Sequence, residues 1–204
     1  MDEVEFKIFT PVKTRRITPN VIVFALLLPS FTFAFLSEKI FESEFLEDLG
    51  LNGLFITGSL MVYYTFTKNF KREPLNGNLI KKLIFSSDWI SIDGEKHSLN
   101  TFKKIDFTVY DYFDKWEYRR DFNPVRSNGT GNKLILTLLD GEIIELNFQL
   151  MHENQMKRLE KHLKHYHSIG RLHFLKLIDL LGIDDYEDIQ EFKKKLQQQT
   201  TEAQ

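Results

Sequence analysis

Residues Ile17–Thr67 read ITPNVIVFALLLPSFTFAFLSEKIFESEFLEDLGLNGLFITGSLMVYYTFT. Two long parts of this segment, Ile17–Ser37 and Leu49–Thr67, carry no side chain that is charged at neutral pH, and an acidic connection joins them. A helix needs about 20 predominantly apolar residues to cross the hydrocarbon core of a bilayer, and each part is close to that length. The pattern therefore predicts a transmembrane hairpin over residues 17–67, with helices at about 18–37 and 49–67.

Charged residues around the hairpin predict its orientation. Lys and Arg beside short membrane segments stay on the cytoplasmic side. Cations flank both outer ends here, whereas the connection holds five acidic residues against one lysine. We therefore expect a multi-pass protein of the cell (inner) membrane with both termini in the cytoplasm. The cations expected to meet anionic lipid headgroups at the cytoplasmic face are Arg15, Arg16, Lys68, Lys71 and Arg72.

Two other interpretations of this region stay open. The first apolar part also fits a signal peptide, because basic residues precede it and Thr32–Ala34 offers a small-x-small cleavage pattern. Both parts also fit a buried helical pair in a soluble protein, although buried helices of this length usually carry a polar stripe. Small residues in the second part predict close helix packing, either against the first helix or between copies in a homo-oligomer. They are Gly53, Thr57, Gly58 and Ser59.

Composition limits the class of the remaining chain. The 204 residues carry a formal charge of −2, so no basic excess predicts nucleic-acid binding. The chain has no cysteine, which fits a reducing cytoplasm. About 130 residues follow the hairpin, enough for one small domain with appendages. We divide the chain into a cytoplasmic N-terminal segment (1–16), the hairpin (17–67), a cytoplasmic domain (75–167), and a helical appendage with a frayed tail (168–204).

The cytoplasmic domain begins with a strand pattern. Asp93–Gly94 and Asp140–Gly141 are strong signals for two-residue hairpins between antiparallel strands. Val4, Phe6 and Ile8 alternate with charged residues, which indicates either a short strand that pairs with the downstream sheet or a disordered tail. The predicted downstream strands are Leu79–Phe85, Trp89–Ile92, Lys96–Leu99, Ile105–Tyr112, Lys133–Leu139 and Glu142–Phe148.

Helical spacing follows the strands. Met151–His167 carries an apolar stripe that includes Leu159 and Leu163, so one amphipathic helix is predicted there. Arg171–Leu181 is rich in leucine and stops before Gly182, a suitable helix end. Asp184 and Glu187 then form a capping box for a last helix with Ile189, Phe192 and Leu196 on one face.

The order of antiparallel strands and one following helix resembles the pleckstrin-homology-like (PH-like) fold. The run Trp89–Gly94, followed by Ser98–Leu99 and Phe102–Ile105, is similar to bacterial PH-like domains of small membrane proteins of the YcxB-like type. The resemblance covers about Val4–His167; the long segment after Tyr112 and the additional C-terminal helices depart from it. It implies an α+β membrane protein, with a transmembrane hairpin followed by an antiparallel β-barrel that a C-terminal helix caps.

The sequence contains no complete catalytic motif among those considered. His152–Glu153 begins a zinc-protease motif, but Met156 stands where the second histidine is required. His162 and His165 share a predicted helix face, where cations near a helix end are favoured over a metal site. The sequence contains no cysteine nucleophile, phosphate-binding loop, dinucleotide fingerprint or nucleophile elbow. We therefore predict no catalytic, cofactor or metal site, and no enzyme.

A binding role is the class that fits best. Ion pathways normally need ionisable groups inside the bilayer, and neither apolar part has a side chain that is charged at neutral pH. We expect a non-catalytic binding, scaffolding or regulatory component with an unknown protein partner. The alternative is an accessory subunit of a transporter or a small oligomeric channel.

The segment Asp114–Gly131, here called the arm, combines aromatic and basic residues of the kinds enriched at binding hot spots. The alternative is an extended hairpin whose aromatic side chains pack locally and whose arginines neutralise nearby acidic residues. The predicted partner-binding residues are Trp116, Tyr118, Arg119, Arg120, Phe122 and Arg126.

Overall fold

The computed structural model describes residues 3–13, 16–41 and 43–202. Within them the chain is α+β and divides into two units. The sheet unit contains the residues up to 12, 75–115 and those from 128 onward, and the hairpin unit contains 13–74 and 116–127. The chain therefore passes four times between the two units.

Two long helices form the hairpin unit. Helix α1 spans Pro19–Phe41 and helix α2 spans Glu44–Thr67, so both extend into the acidic connection beyond their predicted ends. Their 23 and 24 residues correspond to about 35 Å of helix each. Both are long and apolar enough to cross a membrane.

Small residues bring the two helices together. A β-carbon added to Gly50 would lie 2.1 Å from the backbone nitrogen of Ala34, and one added to Gly53 would lie 2.3 Å from Ser30 Oγ. Thr57 is fully buried in the same seam. The predicted packing against the first helix is thus confirmed for Gly53 and Thr57, and Gly50 adds to it.

Gly58 and Ser59 lie elsewhere on α2. A β-carbon on Gly58 would meet no atom within 4 Å in the described part of the chain, and Ser59 is exposed. These two residues therefore face away from α1.

The sheet unit is built on an antiparallel sheet with the strand order β5-β4-β3-β1-β10-β9-β6, and β2 pairs with one end of β1. The path ends at β5 and β6, so the sheet of the described residues is not closed by hydrogen bonds into a barrel. Two further strands, β7 and β8, form a separate two-stranded sheet. The bounds are β1 Val4–Pro11, β2 Gly77–Asn78, β3 Lys82–Phe85, β4 Trp89–Ile92, β5 Glu95–Ser98, β6 Phe102–Thr108, β7 Phe113–Trp116, β8 Arg126–Asn128, β9 Asn132–Leu138 and β10 Ile143–Gln149.

Strand β1 lies in the middle of the sheet. Phe6 pairs with Leu83 of β3, and Ile8 pairs with Phe148 of β10. The strand predicted at Val4–Ile8 is therefore confirmed, and the disordered-tail alternative is wrong. Where the chain leaves the sheet unit, the backbone N–H of Val12 donates to the carbonyl of Asn76 at 2.9 Å. The hairpin unit is thus inserted after the first strand, between two adjacent points of one folded unit.

Three helices complete the sheet unit: α3 (Glu160–Ser168), α4 (Phe174–Leu181) and α5 (Tyr186–Glu202). The continuous helix predicted over 151–167 is wrong, because a 3₁₀ segment at Glu153–Leu159 with a non-helical Asn154 precedes α3. Leu159 and Leu163 are nevertheless fully buried in the core. The hydroxyl of Tyr166 donates to the carbonyl of Ser86 at 2.6 Å, and this bond connects α3 to the end of β3.

The ends of the last two helices can be compared with the ends that the sequence predicts. Gly182 ends α4 with a left-handed backbone, φ 64°, as predicted. The cap of α5 lies one residue later than predicted, because Asp185 rather than Asp184 accepts the N–H of Glu187, at 2.8 Å. Residues 197–204 lack large apolar side chains and were predicted to fray, but helix α5 continues through Glu202 and so includes most of them.

Candidate functional site

Trp116–Ser127 of the arm belongs to the hairpin unit and lies against the ends of its two helices. The ammonium of Lys68, the residue that follows α2, donates to the carbonyls of Arg119 at 2.9 Å and Asp121 at 2.7 Å. The N–H of Val125 donates to the carbonyl of Lys68 at 3.2 Å. Two of the three donors of this ammonium are therefore used inside the protein, although the sequence predicted a role at the lipid surface.

The arm also contacts the beginning of α1. The N–H of Phe122 donates to Asn20 Oδ1 at 3.0 Å. Burial raises the pKa of Asp121, but hydrogen bonds from Asn123 and Asn20 outweigh burial, so this pKa lies below its ordinary value. The arm is thus hydrogen-bonded to both helices at the end of the hairpin where α1 begins and α2 ends.

Two of the three predicted arginines hold the arm in place. Arg119 forms ion pairs with Glu73 and, at 3.2 Å, with Glu117. Arg126 Nε donates to the carbonyl of Asn69 at 3.1 Å. Arg120 is exposed. The ion pairs of Arg119 support the local-neutralisation alternative for that residue, whereas Arg126 is bonded to a backbone carbonyl.

The aromatic residues of the arm divide in the same way. Trp116 is 55% exposed and Tyr118 is 73% exposed, with ring centroids 6.3 Å apart. Phe122 is half-buried, and Val125, which the sequence reasoning did not select, is 1% exposed. The structure therefore divides the six predicted site residues into an exposed trio, Trp116, Tyr118 and Arg120, and an internal set, Arg119, Phe122 and Arg126.

Among the described residues, the cations predicted at a membrane surface lie beside the same helix ends. Arg15 is outside the described residues, and Arg16 is exposed just before α1. Lys71 and Arg72 are exposed after α2, with the ammonium of Lys71 placed 5.2 Å from the ring centroid of Tyr63.

The histidines of α3 do not come together on one surface. His162 is buried and stacks on Tyr166 with ring centroids 6.4 Å apart, whereas His165 is exposed. The predicted shared face is therefore wrong. Within residues 3–13, 16–41 and 43–202, no group of three or more His, Cys, Asp or Glu side chains is arranged to hold a metal ion.

No protein-family model matches the chain, and neither does any of the curated proteins or solved structures compared with it. The candidate site therefore has to be interpreted from its own chemistry. That chemistry is an exposed aromatic pair and one exposed arginine, held at the helix ends by partly buried polar contacts.

Proposed function

We propose that this chain is a two-helix integral membrane protein whose sheet unit serves as a non-catalytic binding, scaffolding or regulatory module in the cytoplasm. The observation that carries the proposal is the exposure of the two apolar helices. Only 17% of the apolar span in α1 and 11% of that in α2 is buried within the chain. A helix in the core of a soluble protein would be mostly buried, whereas a bilayer would cover these surfaces.

The position of β1 supports a hairpin that enters and leaves the bilayer on one side. Residues before and after the hairpin pair in the same sheet, and Val12 and Asn76 are directly hydrogen-bonded. A single sheet cannot have strands on both sides of a bilayer. The distribution of Lys and Arg favours the cytoplasm as that side.

We also propose that the sheet unit is a PH-like domain in the bacterial YcxB-like arrangement. The antiparallel sheet is followed by α3, whose Leu163 lies in the core together with Leu159. In this proposal the helix covers the open side of a bent sheet, so the unit works as a PH-like barrel without complete pairing of its end strands.

The exposed trio of the arm is the proposed partner-binding surface. In the proposed membrane arrangement, Trp116, Tyr118 and Arg120 lie at the cytoplasmic end of the helices, close to anionic headgroups that Arg16 and Lys71 would also meet. Trp and Arg are enriched among residues that dominate protein interfaces. These three residues therefore offer a membrane-proximal protein partner an aromatic and basic surface that is already ordered.

A second candidate role is an accessory subunit of a transporter or a small oligomeric channel. Gly58 and Ser59 favour it, because they leave a small-residue surface on α2 that faces away from α1. Surfaces of this kind allow another membrane helix to approach closely.

Topology can be tested with single cysteines, since the chain has none of its own. We expect a membrane-impermeant maleimide to label Ser43→Cys only from outside the cell, and Asn76→Cys and Thr200→Cys only after the cytoplasmic face is opened. Labelling of all three positions from the same face would exclude the hairpin.

The partner surface can be tested by in-cell cross-linking from a photoreactive residue placed at Tyr118. Trp116→Ala combined with Arg120→Ala should lower the affinity for the partner about thirtyfold or more, because interface anchors typically contribute at least about 2 kcal/mol. The yield of the specific cross-link should fall accordingly. The matched control, Leu139→Ala with Lys96→Ala, changes exposed residues of the sheet unit. An unchanged cross-link in the arm variant would move the search to the helices that contain Leu175 and Phe192.

A further inference from the structure

The sheet unit contains a cavity of about 390 Å³. It lies between the segment that follows β6, the 3₁₀ segment Glu153–Leu159 and the end of α4. Leu150, Met156 and Leu180 contribute buried apolar surface to its lining. A cavity of this size with an apolar floor suits a small ligand or one long side chain.

Asp111 is the unusual group in the lining. It is only 5% exposed. Its Oδ2 accepts the N–H of Gly131 at 2.8 Å, whereas its Oδ1 is buried and has no hydrogen-bond partner in the described part of the chain. No ion pair to Asp111 is present among those residues either. Buried carboxylate oxygens are normally hydrogen-bonded or paired with a cation, because leaving one unpaired is costly.

The surrounding backbone fixes the position of Asp111. Asn132 is fully buried, and its Oδ1 accepts the N–H groups of Tyr110 at 3.2 Å and Asp111 at 3.0 Å. The amide of Asn132 donates to the carbonyl of Gly129 at 3.0 Å. The carboxylate is therefore held in place before any ligand arrives.

The other charged groups of the lining do not neutralise it. Lys115 donates to the carbonyl of Tyr110, and Lys157 is exposed at the rim. Glu153, Asp179 and Asp184 add three acidic groups, of which Asp179 is paired with Lys176 at 2.8 Å. Acidic groups outnumber the basic ones, so the cavity attracts positive charge.

We propose that this cavity binds an organic cation, an ammonium or guanidinium group on an aliphatic stem. The cationic head pairs with the carboxylate of Asp111, and the stem lies on Leu150, Met156 and Leu180. Long basic side chains combine such a stem and head. A lysine or arginine of a bound peptide and a free alkyl diamine share this chemistry, and the assignment is independent of the membrane role proposed above.

Calorimetric titration of the detergent-solubilised full chain tests the proposal with three probes. N-acetyl-arginine amide represents a peptide side chain, 1,5-diaminopentane represents a free diamine, and N-acetyl-citrulline amide is the neutral isostere of the first. We expect saturable binding of at least one cation and none of the citrulline compound. The cation that binds more tightly shows whether the ligand is a peptide side chain or a free diamine. No saturation by either cation up to about 10 mM, or equal binding of the citrulline compound, would overturn the proposal.

Substitution of the carboxylate locates the site. Asp111→Asn keeps the size of the side chain and should weaken cation binding at least about tenfold, because a charge-assisted hydrogen bond is lost. Asp88→Asn makes the same chemical change at an exposed position and should leave the affinity unchanged. Binding to Asp111→Asn as tight as to the parent protein would contradict the assignment.

If the melting curve of Asp111→Asn shows that this variant does not fold, a second variant with changes at the rim of the cavity tests the cation site instead. Glu153 and Asp184 are exposed, so Glu153→Gln with Asp184→Asn should fold normally. Loss of these charges should weaken cation binding roughly two- to fivefold, the range of exposed charge interactions, and the loss should shrink at high salt. An unchanged affinity in the rim variant would overturn the proposal in that case.

Discussion

Phenylalanine occupies opposite environments in the two units. In the sheet unit Phe6, Phe85 and Phe148 are 2% exposed or less, and Phe6 makes edge-to-face contacts with the other two at centroid distances of 5.7 Å. In the hairpin unit Phe31 and Phe35 are 55% and 56% exposed. The sheet unit is therefore stabilised by its own apolar core, while the hairpin unit is held by close backbone packing and presents its apolar side chains outward. The same residue type is therefore buried in one unit and exposed in the other.

Removal of β1 should have the largest effect, because the sheet unit then loses the strand between β3 and β10. We expect a chain that begins at Leu75 not to fold cooperatively, as measured by chemical unfolding and resistance to protease. Joining residues 3–12 to residue 76 through a short linker should restore folding, since Val12 and Asn76 are already hydrogen-bonded. Cooperative unfolding of the shorter chain would show that the sheet unit does not depend on β1.

A charge in the core of the sheet unit should have the next largest effect. Leu159→Asp or Leu163→Asp places an unpaired carboxylate at a fully buried position and should cost about 3 kcal/mol or more in the free energy of unfolding. Ile143→Asp is the matched control because Ile143 is 62% exposed, and a change within about 0.5 kcal/mol is expected there. Equal losses in the free energy of unfolding at the buried sites and at Ile143 would show that the sheet unit is not stabilised by its apolar core.

Packing of the hairpin unit can be measured with one substitution at two glycines. Gly50→Val and Gly58→Val change helix propensity equally, but only Gly50 meets the backbone of the other helix. We expect Gly50→Val to cost about 1–3 kcal/mol more than Gly58→Val, the usual range for overpacking. Unfolding of the detergent-solubilised chain by sodium dodecyl sulphate, followed by circular dichroism, gives the comparison. A larger loss at Gly58 would place the principal contact on the other face of α2.

The docking of the arm should depend on Lys68 and not on Lys71. Lys68→Ala removes two hydrogen bonds to arm carbonyls, so the arm should open about thirtyfold more often, equivalent to about 2 kcal/mol. The measurement is the rate of tryptic cleavage after Arg119 and Arg120. Lys71→Ala should leave this rate nearly unchanged, and similar acceleration by both variants would show a general electrostatic effect.

Alkaline pH should reveal the smallest effect. Burial raises the pKa of Tyr166 above its ordinary value of 10.0, so the folded state prefers the neutral hydroxyl that donates to Ser86. This stabilisation is complete below about pH 10 and is lost as the pH rises further. Tyr166→Phe should cost about 1 kcal/mol at about pH 8 and progressively less above about pH 10, as measured by urea unfolding. Tyr186→Phe, at an exposed position, should follow the parent protein at every pH.

The sequence was most informative where the signal is local. Uninterrupted apolar runs predicted both helices of the hairpin unit, and Asp93–Gly94 predicted the turn between β4 and β5, where both residues have positive φ. The same reasoning placed the cap of α5 one residue too early, because two adjacent aspartates offer nearly the same local pattern. Local signals therefore identify an element more reliably than they identify its first residue.

The remaining features depend on contacts between residues that are distant in the sequence, and such contacts leave no local sequence pattern. Lys68 donates to backbone carbonyls, which every residue possesses, so the docking of the arm could not be predicted from residue types. Pairing of β1 with both β3 and β10 is set by packing across the sheet and not by strand propensity. Asp111 belongs to no motif, and its importance follows only from its burial and its hydrogen bonds.

The central position of β1 has a consequence for biogenesis. Lys7 pairs with Gln149, about 140 residues later, and protein synthesis at about 5–20 residues per second separates the two strands by about 7–30 s. During about the first half of this interval the hairpin is synthesised, and β1 has neither of its neighbours until β3 follows at Lys82–Phe85. The alternating charges of β1, at Glu5 and Lys7, discourage pairing with other nascent chains. The charged face of a strand that is central in the finished sheet therefore protects the chain before that sheet exists.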